Sequence, residues 1–121
     1  MEKMKDYIYN KVKACLEEKR MYLDPELSLI KFSKIVGTNT TYLSNVVNRH
    51  YGCNFKTLVN GYRIRHAIAV MRQGSMKLEN LPMGCGFSSK SAFYEAFKKE
   101  TGLTPASYRN KYVKHIEKEV T

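Results

Sequence analysis

The chain has 121 residues, a length that suits one compact domain or two very small ones and excludes a large multidomain enzyme. Hydrophobic residues make up 43% of it, which is enough to form a core and excludes wholesale disorder. Lys and Arg number 21 against 11 Asp and Glu, and the net charge of +10 favours a polyanionic partner.

The excess positive charge lies beyond the first 27 residues, which hold six basic and six acidic side chains. Between positions 28 and 99 only Glu79 and Glu95 are acidic. We therefore expect a surface for a polyanion downstream of residue 27.

The cysteines and histidines form no recognisable site in the sequence. Cys15, Cys53 and Cys85 lie far apart without a C-x-x-C pair, so we expect small buried thiols in a reducing compartment rather than a zinc site or disulfides. Phosphate-binding loops and nucleophile motifs are absent, which predicts no enzyme and no cofactor. The histidines have no acidic or cysteine neighbour at metal-ligand spacing: His50, His66 and His115.

No stretch reaches the ~20 apolar residues of a membrane span, and the charged first ten residues do not resemble the apolar core of a signal peptide. We expect the chain to act in the cytoplasm, without membrane contact.

The first part of the chain predicts three helices. The first runs from about Lys3 to Tyr22, and Ser28 begins a second that ends at Gly37. Asn39 is the predicted N-cap of the third, which ends at Gly52. Their apolar residues recur at helical spacing: Met4, Ile8, Val12, Cys15 and Leu16, then Leu29, Phe32, Ile35 and Val36, then Leu43, Val46 and Val47.

The second part predicts a long helix and another set of short ones. The long helix runs from about Phe55 to Arg72, about 27 Å at 1.5 Å per residue, and stops at Gly74. A short helix follows, and then one capped by Ser89. A last helix begins with the cap Thr104 and with Pro105 at its first position. The candidate buried residues are Leu58, Tyr62, Ala67, Ile68 and Met71, then Leu78, Leu81 and Cys85, then Phe93, Ala96 and Phe97.

The sequence repeats itself after about 50 residues. A shift of 49 places the short helix ending at Gly37 on the one ending at Gly86, and a shift of 50 places the helix capped by Asn39 on the one capped by Ser89. A short helix, a tight turn and a capped helix form the pattern of a helix-turn-helix unit. An all-α bundle with two accidental helical hairpins stays open as the alternative.

The predicted fold is all-α, with two homeodomain-like helix-turn-helix subdomains joined by a long linker helix. Residues 1–27 form an N-terminal supporting helix and connector, and residues 28–54 form the first helix-turn-helix. Residues 55–74 form the linker helix. Residues 75–121 form the second helix-turn-helix and a C-terminal helix.

The two units together resemble the DNA-binding domain of the AraC/XylS family, over about residues 28–112. The resemblance implies an all-α domain that binds DNA as part of a transcription regulator, usually an activator. It is carried by Thr41-Tyr42-Leu43-Ser44, Gly52, Phe55, Tyr62-Arg63-Ile64, Ala67, Gly86-Phe87-Ser88-Ser89, Ser91, Phe93, Phe97-Lys98-Lys99, Gly102, Thr104-Pro105 and Tyr108-Arg109.

One position departs from the family pattern. The first helix of the second unit usually reads I-x-x-I-A, and here Pro82 occupies the place of the Ala. A proline inside a helix removes a hydrogen bond and costs ~3 kcal/mol. We therefore predict a shortened helix that begins near Asn80 or Leu81, with Pro82 in its first turn.

Base-reading residues are expected on the outward faces of the two capped helices, because the major groove admits one helix and displays a distinct pattern for each base pair. The family mapping assigns Thr41, Ser44 and Asn45 in the first unit. Asn45 can pair bidentately with adenine. In the second unit the mapping assigns Lys90, Ser91, Tyr94 and Glu95.

Lys90 could donate to guanine and Glu95 could accept from cytosine. An alternative stays open for Glu95, which could simply pair with Lys99 one turn away.

Phosphate contacts are expected to set the register on the duplex and to supply most of the non-specific affinity. The expected backbone-contacting residues are Thr40, Asn48, Arg49, Ser89, Lys98 and Lys99. Arg63 and Arg109 are interpreted as braces for helix ends. The aromatic residues fit a core better than a base-stacking platform: Tyr42, Phe55, Phe87, Phe93, Phe97 and Tyr108.

The sequence predicts double-stranded DNA as the partner, with two recognition helices entering adjacent major-groove segments. The family resemblance adds RNA polymerase and an upstream sensor or receiver domain in the full-length protein. The alternative function is a basic module that binds nucleic acid or protein without sequence preference.

Overall fold

The computed structural model describes residues 2–74 and 77–113, and within them it is all-helical, as predicted. The predicted inward side chain of Met4, the histidine His115 and the end of the C-terminal segment, residues 114–121, lie outside this description. The chain divides into two compact units, Met1–Tyr62 and Arg63–Thr121, and the division falls inside the linker helix.

The first unit is built from the helices α1 (Glu2–Glu17), α2 (Leu29–Val36), α3 (Thr40–Tyr51) and the beginning of α4 (Phe55–Gln73). α1 packs against both α2 and α3. Because the apolar stripes of these helices face one another, they enclose a core whose central side chains have no exposed surface: Val12, Leu16, Phe32, Leu43 and Val47.

The second unit contains the rest of α4, a 3-10 turn over Leu78–Asn80, α5 (Leu81–Gly84), α6 (Lys90–Thr101) and α7 (Pro105–Tyr108). A π-helical turn over Arg109–Val113 follows α7. The centre of this core is fully enclosed and is formed by Ile64, Ala67, Leu81, Cys85, Phe93 and Phe97.

The duplication read from the sequence is present in the structure. Gly37 and Gly86 end the first helix of each copy with φ values of 82° and 97°. Gly52 and Gly102 end the second with φ values of 70° and 78°. At such positive φ a side chain would be strained, so glycine is what lets the chain leave each helix there.

The predicted effect of Pro82 is confirmed. Instead of a regular helix from Lys77 to Cys85, the chain forms the 3-10 turn and then the four-residue α5, with Pro82 in its first turn. A proline in a first turn removes an N–H that would have no partner in the helix. The second unit therefore tolerates Pro82 by shortening its first helix.

The prediction that the first helix continues to Tyr22 is wrong, because α1 ends at Glu17. Arg20 adopts a left-handed conformation with φ 54° and ψ 41°, which a right-handed helix cannot contain. The chain turns there into a 3-10 helix over Met21–Leu23. This turn buries Tyr22, whose ring stacks on Tyr62 with centroids 5.5 Å apart.

The placement of Ile35 on the inward face of α2 is also wrong, since its side chain is 38% exposed. The buried stripe of this helix instead includes Ser33, which is 4% exposed and donates its hydroxyl hydrogen to the Ile30 carbonyl at 2.7 Å. Residues 29, 32, 33 and 36 form one stripe at 100° per residue, and position 35 falls outside it.

Candidate nucleic-acid interface

The two candidate recognition helices begin with the same cap. The Asn39 side chain accepts a hydrogen bond from the Tyr42 amide at 2.8 Å at the start of α3. The Ser89 hydroxyl accepts one from the Ala92 amide at 3.1 Å at the start of α6. These bonds satisfy a donor that the first turn of a helix leaves unpaired, and they fix where each helix starts.

The outward face of α3 is polar and accessible. Thr41, Asn45 and Asn48 are exposed, and Thr40 and Ser44 are half-buried. Because Leu43, Val46 and Val47 anchor the opposite face in the core, these five side chains share one outward surface. This surface offers hydroxyls and amides, which can both donate and accept hydrogen bonds, and it carries no charge.

The corresponding face of α6 is accessible as well, but its chemistry differs. Lys90, Ser91 and Glu95 are exposed, and Tyr94 is 40% exposed. The Lys90 ammonium lies 6.0 Å from the centroid of the Tyr94 ring, near the outer limit for an attraction between a cation and an aromatic face. No hydrogen bond or ion pair joins Glu95 and Lys99 in the described structure, so the carboxylate remains available to a partner.

Basic side chains lie in the last turn of each helix: Arg49 and His50 in α3, and Lys98 and Lys99 in α6. Arg49, Lys98 and Lys99 are exposed, as phosphate contacts require. A positive charge in the last turn also stabilises the helix itself, by about 0.3–1 kcal/mol, through the helix dipole. Their position is therefore favourable for the helix with or without DNA.

The six aromatic residues that the sequence assigns to the core lie in it or pack against it. Phe87, Phe93 and Phe97 are buried, and the ring of Phe97 meets that of Tyr108 edge to face at 5.5 Å. Tyr42 and Phe55 are half-buried and pack against the core of the first unit. They do not form an exposed stacking platform.

The two interpreted braces are also inside the second unit. Arg63 is 9% exposed, and its guanidinium lies 5.4 Å from the centroid of the Phe87 ring. Arg109 is half-buried, and its Nε atom is buried without a hydrogen-bond partner among the described residues. Neither side chain lies on the outward face of α6.

Helix α1 supports α3 through contacts that the sequence did not predict. The Tyr9 ring stacks on His50 with centroids 4.0 Å apart and planes 11° apart, and it also lies 5.7 Å from Tyr51. Burial raises the pKa of the Tyr51 hydroxyl above its usual range, and the nearby Tyr62 adds to this shift. The Tyr62 hydroxyl donates to Glu17 Oε1 at 3.2 Å, which links α4 to α1.

The N-cap of the linker helix, Asn54, was not predicted from the sequence. The Asn54 side chain accepts from the Thr57 amide at 2.8 Å, as Thr104 accepts from the Ser107 amide at 3.1 Å fifty residues later. The sequence does carry a signal for this cap, because Asn54 stands directly before the apolar Phe55 and three residues before Thr57. The duplication thus extends to the start of the helix that follows each capped helix.

None of the described helices is both long enough and apolar enough to cross a bilayer. Within residues 2–74 and 77–113 no group of three His, Cys, Asp or Glu side chains is arranged to hold a metal ion.

A family model described as a helix-turn-helix domain matches residues 32–111. The transcriptional regulator GlxA of Rhizobium meliloti is 26% identical over 98 residues, which is 81% of this chain and 30% of that protein. An uncharacterized HTH-type transcriptional regulator of Staphylococcus aureus strain MSSA476 is 29% identical over 100 residues, which is 83% of this chain and 13% of that protein. The chain therefore spans less than a third of these curated relatives.

Among solved structures, the C-terminal domain of AraT, a response regulator from Geobacillus stearothermophilus, superposes with a TM-score of 0.80. It is 20% identical, and the match covers 88% of this chain and 86% of that one. At this identity the likeness establishes the fold.

Proposed function

The chain belongs to the AraC/XylS family, as a helix-turn-helix DNA-binding domain of a transcription regulator, and we propose that it recognises a specific duplex sequence through both α3 and α6. This family consists of DNA-binding regulators and not of enzymes. Each helix would enter one major-groove segment and read base edges with its outward side chains.

The proposal is supported by the way in which each capped helix divides its residues between the core and the surface. Its inward residues, its cap and its terminal glycine are equivalent in the two units, whereas the exposed residues differ. A polar outward face and a basic last turn each suit any surface helix, so the support for DNA lies in their occurrence in both copies of the unit, in a chain of net charge +10. Both features are what direct readout and phosphate contact require.

In the first unit we propose that Thr41, Ser44 and Asn45 contact bases. An Asn side chain presents one acceptor and two donors, and this pattern matches N6 and N7 of adenine. Thr40, Asn48 and Arg49 flank these positions and would contact the phosphate backbone, which fixes the register of α3 in the groove.

In the second unit we propose that Lys90, Ser91, Tyr94 and Glu95 contact bases. Lys90 supplies a donor for guanine O6 or N7, and Glu95 supplies an acceptor for cytosine N4. Ser89, Lys98 and Lys99 would contact phosphates. The exposed positive charge of Lys98 and Lys99 would also offset the repulsion between the Glu95 carboxylate and the DNA backbone.

Since the chain spans 13–30% of its curated relatives, we propose that an upstream sensor or receiver domain controls this DNA-binding domain. Its output would be activation of transcription through contact with RNA polymerase, in the cytoplasm of a bacterium.

The test is selection of bound duplexes from a random DNA pool with the 121-residue chain, followed by salt titrations on the selected duplex, a random duplex and an RNA. A sequence-specific regulator is expected to prefer its selected duplex by on the order of 10³-fold at physiological salt. If no sequence is enriched and the three nucleic acids bind equally, the chain is instead a basic module without sequence preference.

A further inference from the structure

Helix α1 lies wholly outside residues 32–111, the part of the chain that the family model matches, yet it contacts the end of α3. The contact is a close, nearly parallel stack of Tyr9 on His50, with 4.0 Å between ring centroids and 11° between planes. Tyr9 is half-buried, whereas His50 is exposed. The stack therefore joins a supporting helix to the surface of the candidate recognition helix.

The stack lies beside the side chains that we propose to touch DNA. His50 directly follows Arg49, and one helical turn separates Arg49 from Asn45. A cleft of about 300 Å³ borders this flank of α3, and its described lining is Tyr42, Asn45, Val46, Arg49 and His50. Val46 and Val47 hold α3 in the core, and the Tyr9 ring adds a contact at the end of the helix, next to this open flank.

The second unit closes the equivalent end of its helix differently. Fifty residues after His50 and Tyr51 stand Glu100 and Thr101. The Thr101 hydroxyl donates to the Phe97 carbonyl at 2.8 Å and accepts from the Leu103 amide at 3.1 Å. The last turn of α6 is thus fixed by residues of its own segment, whereas that of α3 is stacked on a helix more than thirty positions earlier in the chain.

We propose that Tyr9 is a positioning residue for base recognition by α3 and that it acts through the His50 ring. The inference rests on the proposed function. Hydrogen bonds to base edges need side chains held within about 0.5 Å and 10–20° of the productive geometry. A ring stacked face to face on the last turn of α3 limits its tilt and its rotation, and it does so without contacting DNA itself.

The experiment compares four variants of the 121-residue chain, namely Tyr9→Leu, Tyr9→Phe, His50→Ala and the control Tyr7→Leu. Tyr7 lies on the same helix and is 55% exposed. Binding is measured to the selected duplex and to its single base-pair variants. Tyr9→Leu is expected to lower discrimination about threefold to tenfold, the factor that one aromatic pair contributes. The loss should be confined to the base pairs that α3 reads and should spare those that α6 reads.

Tyr9→Phe, which keeps the ring, and Tyr7→Leu are expected to discriminate like the wild type. The slope of affinity against salt should not change in Tyr9→Leu, because no phosphate contact is lost. In a double-mutant cycle, Tyr9→Leu and His50→Ala should not be additive, since each removes the same stack.

Wild-type discrimination by a Tyr9→Leu protein with native helix content would overturn the inference. An equal loss at every base pair would overturn it too, as would additive effects in the cycle. If Tyr9→Leu does not fold, His50→Ala decides the matter, because His50 is exposed and its unchanged discrimination would contradict positioning. A wild-type chain that selects no sequence would instead show that the proposed function itself is wrong.

Discussion

Substitution of Ser89 separates two roles of one hydroxyl group. Its oxygen caps α6 by accepting the Ala92 N–H at 3.1 Å. A hydroxyl also has one hydrogen to donate, which this bond leaves free for a phosphate oxygen. Alanine removes both functions. Aspartate keeps an acceptor for the Ala92 amide but, when ionised, has nothing to donate and adds a negative charge.

The expected effects on stability and on binding run in opposite orders. Loss of the cap in Ser89→Ala costs about 1 kcal/mol, or about a fivefold change in the unfolding equilibrium. Ser89→Asp keeps the cap and gains about 0.3–1 kcal/mol from the helix dipole. For DNA, Ser89→Asp loses a charge-assisted hydrogen bond worth about 1.5–3 kcal/mol, so affinity should fall at least about tenfold. Ser89→Ala should bind more tightly than Ser89→Asp.

Stability is measured by chemical denaturation and by hydrogen exchange at the Ala92 amide, and binding is measured on the selected duplex at fixed salt. Thr104→Asp is the matched control, because Thr104 caps α7 and is exposed in the same unit but is not proposed to contact DNA. It should keep both stability and affinity. Wild-type affinity in Ser89→Asp, or wild-type stability in Ser89→Ala, would refute the assignment of the corresponding role.

Asn45→Ala should weaken binding by about 1–3 kcal/mol at only one or two base pairs, as measured on single base-pair variants of the selected duplex; a uniform loss would make Asn45 a backbone contact. Lys98→Ala should lower affinity on all sequences and reduce the slope of log affinity against log salt by about 0.9, and an unchanged slope would argue against a phosphate contact. Burial raises the pKa of the Cys85 thiol from its ordinary 9.0 to about 12, so the unfolded chain releases this proton first as pH rises. The stability of the wild type relative to Cys85→Ala should therefore be constant below pH 9 and fall by up to about 1.4 kcal/mol per pH unit between pH 9 and 12, and a constant difference in denaturation experiments would contradict this.

Local signals in the sequence predicted most of the fold. Asn39 and Ser89 each precede an apolar helical pattern, and both act as caps in the structure. The glycines at the helix ends and Pro82 act through the backbone alone, so their effects could be predicted without knowledge of the tertiary contacts. The outward faces followed from the same periodicity, because a residue opposite an apolar stripe has only solvent to face.

The features that could not be predicted depend on contacts between distant parts of the chain. Nothing in the local sequence shows that Arg20 adopts a left-handed conformation, and the turn that follows it buries Tyr22 against Tyr62 forty residues later. The stack of Tyr9 on His50 joins positions 41 residues apart, and neither residue has a distinctive neighbour. Which bases the exposed side chains contact is likewise a property of the complex with DNA.

The outward faces of α3 and α6 differ in chemistry, and this difference bears on the direction in which the chain would lie on DNA. Position by position, Thr41, Ser44 and Asn45 stand where Ser91, Tyr94 and Glu95 stand fifty residues later. Under the proposed function the two halves of the bound sequence are therefore unlike, and the site is not a palindrome. A single chain would bind such a site in one defined orientation, and inverting the site would reverse that orientation relative to the promoter.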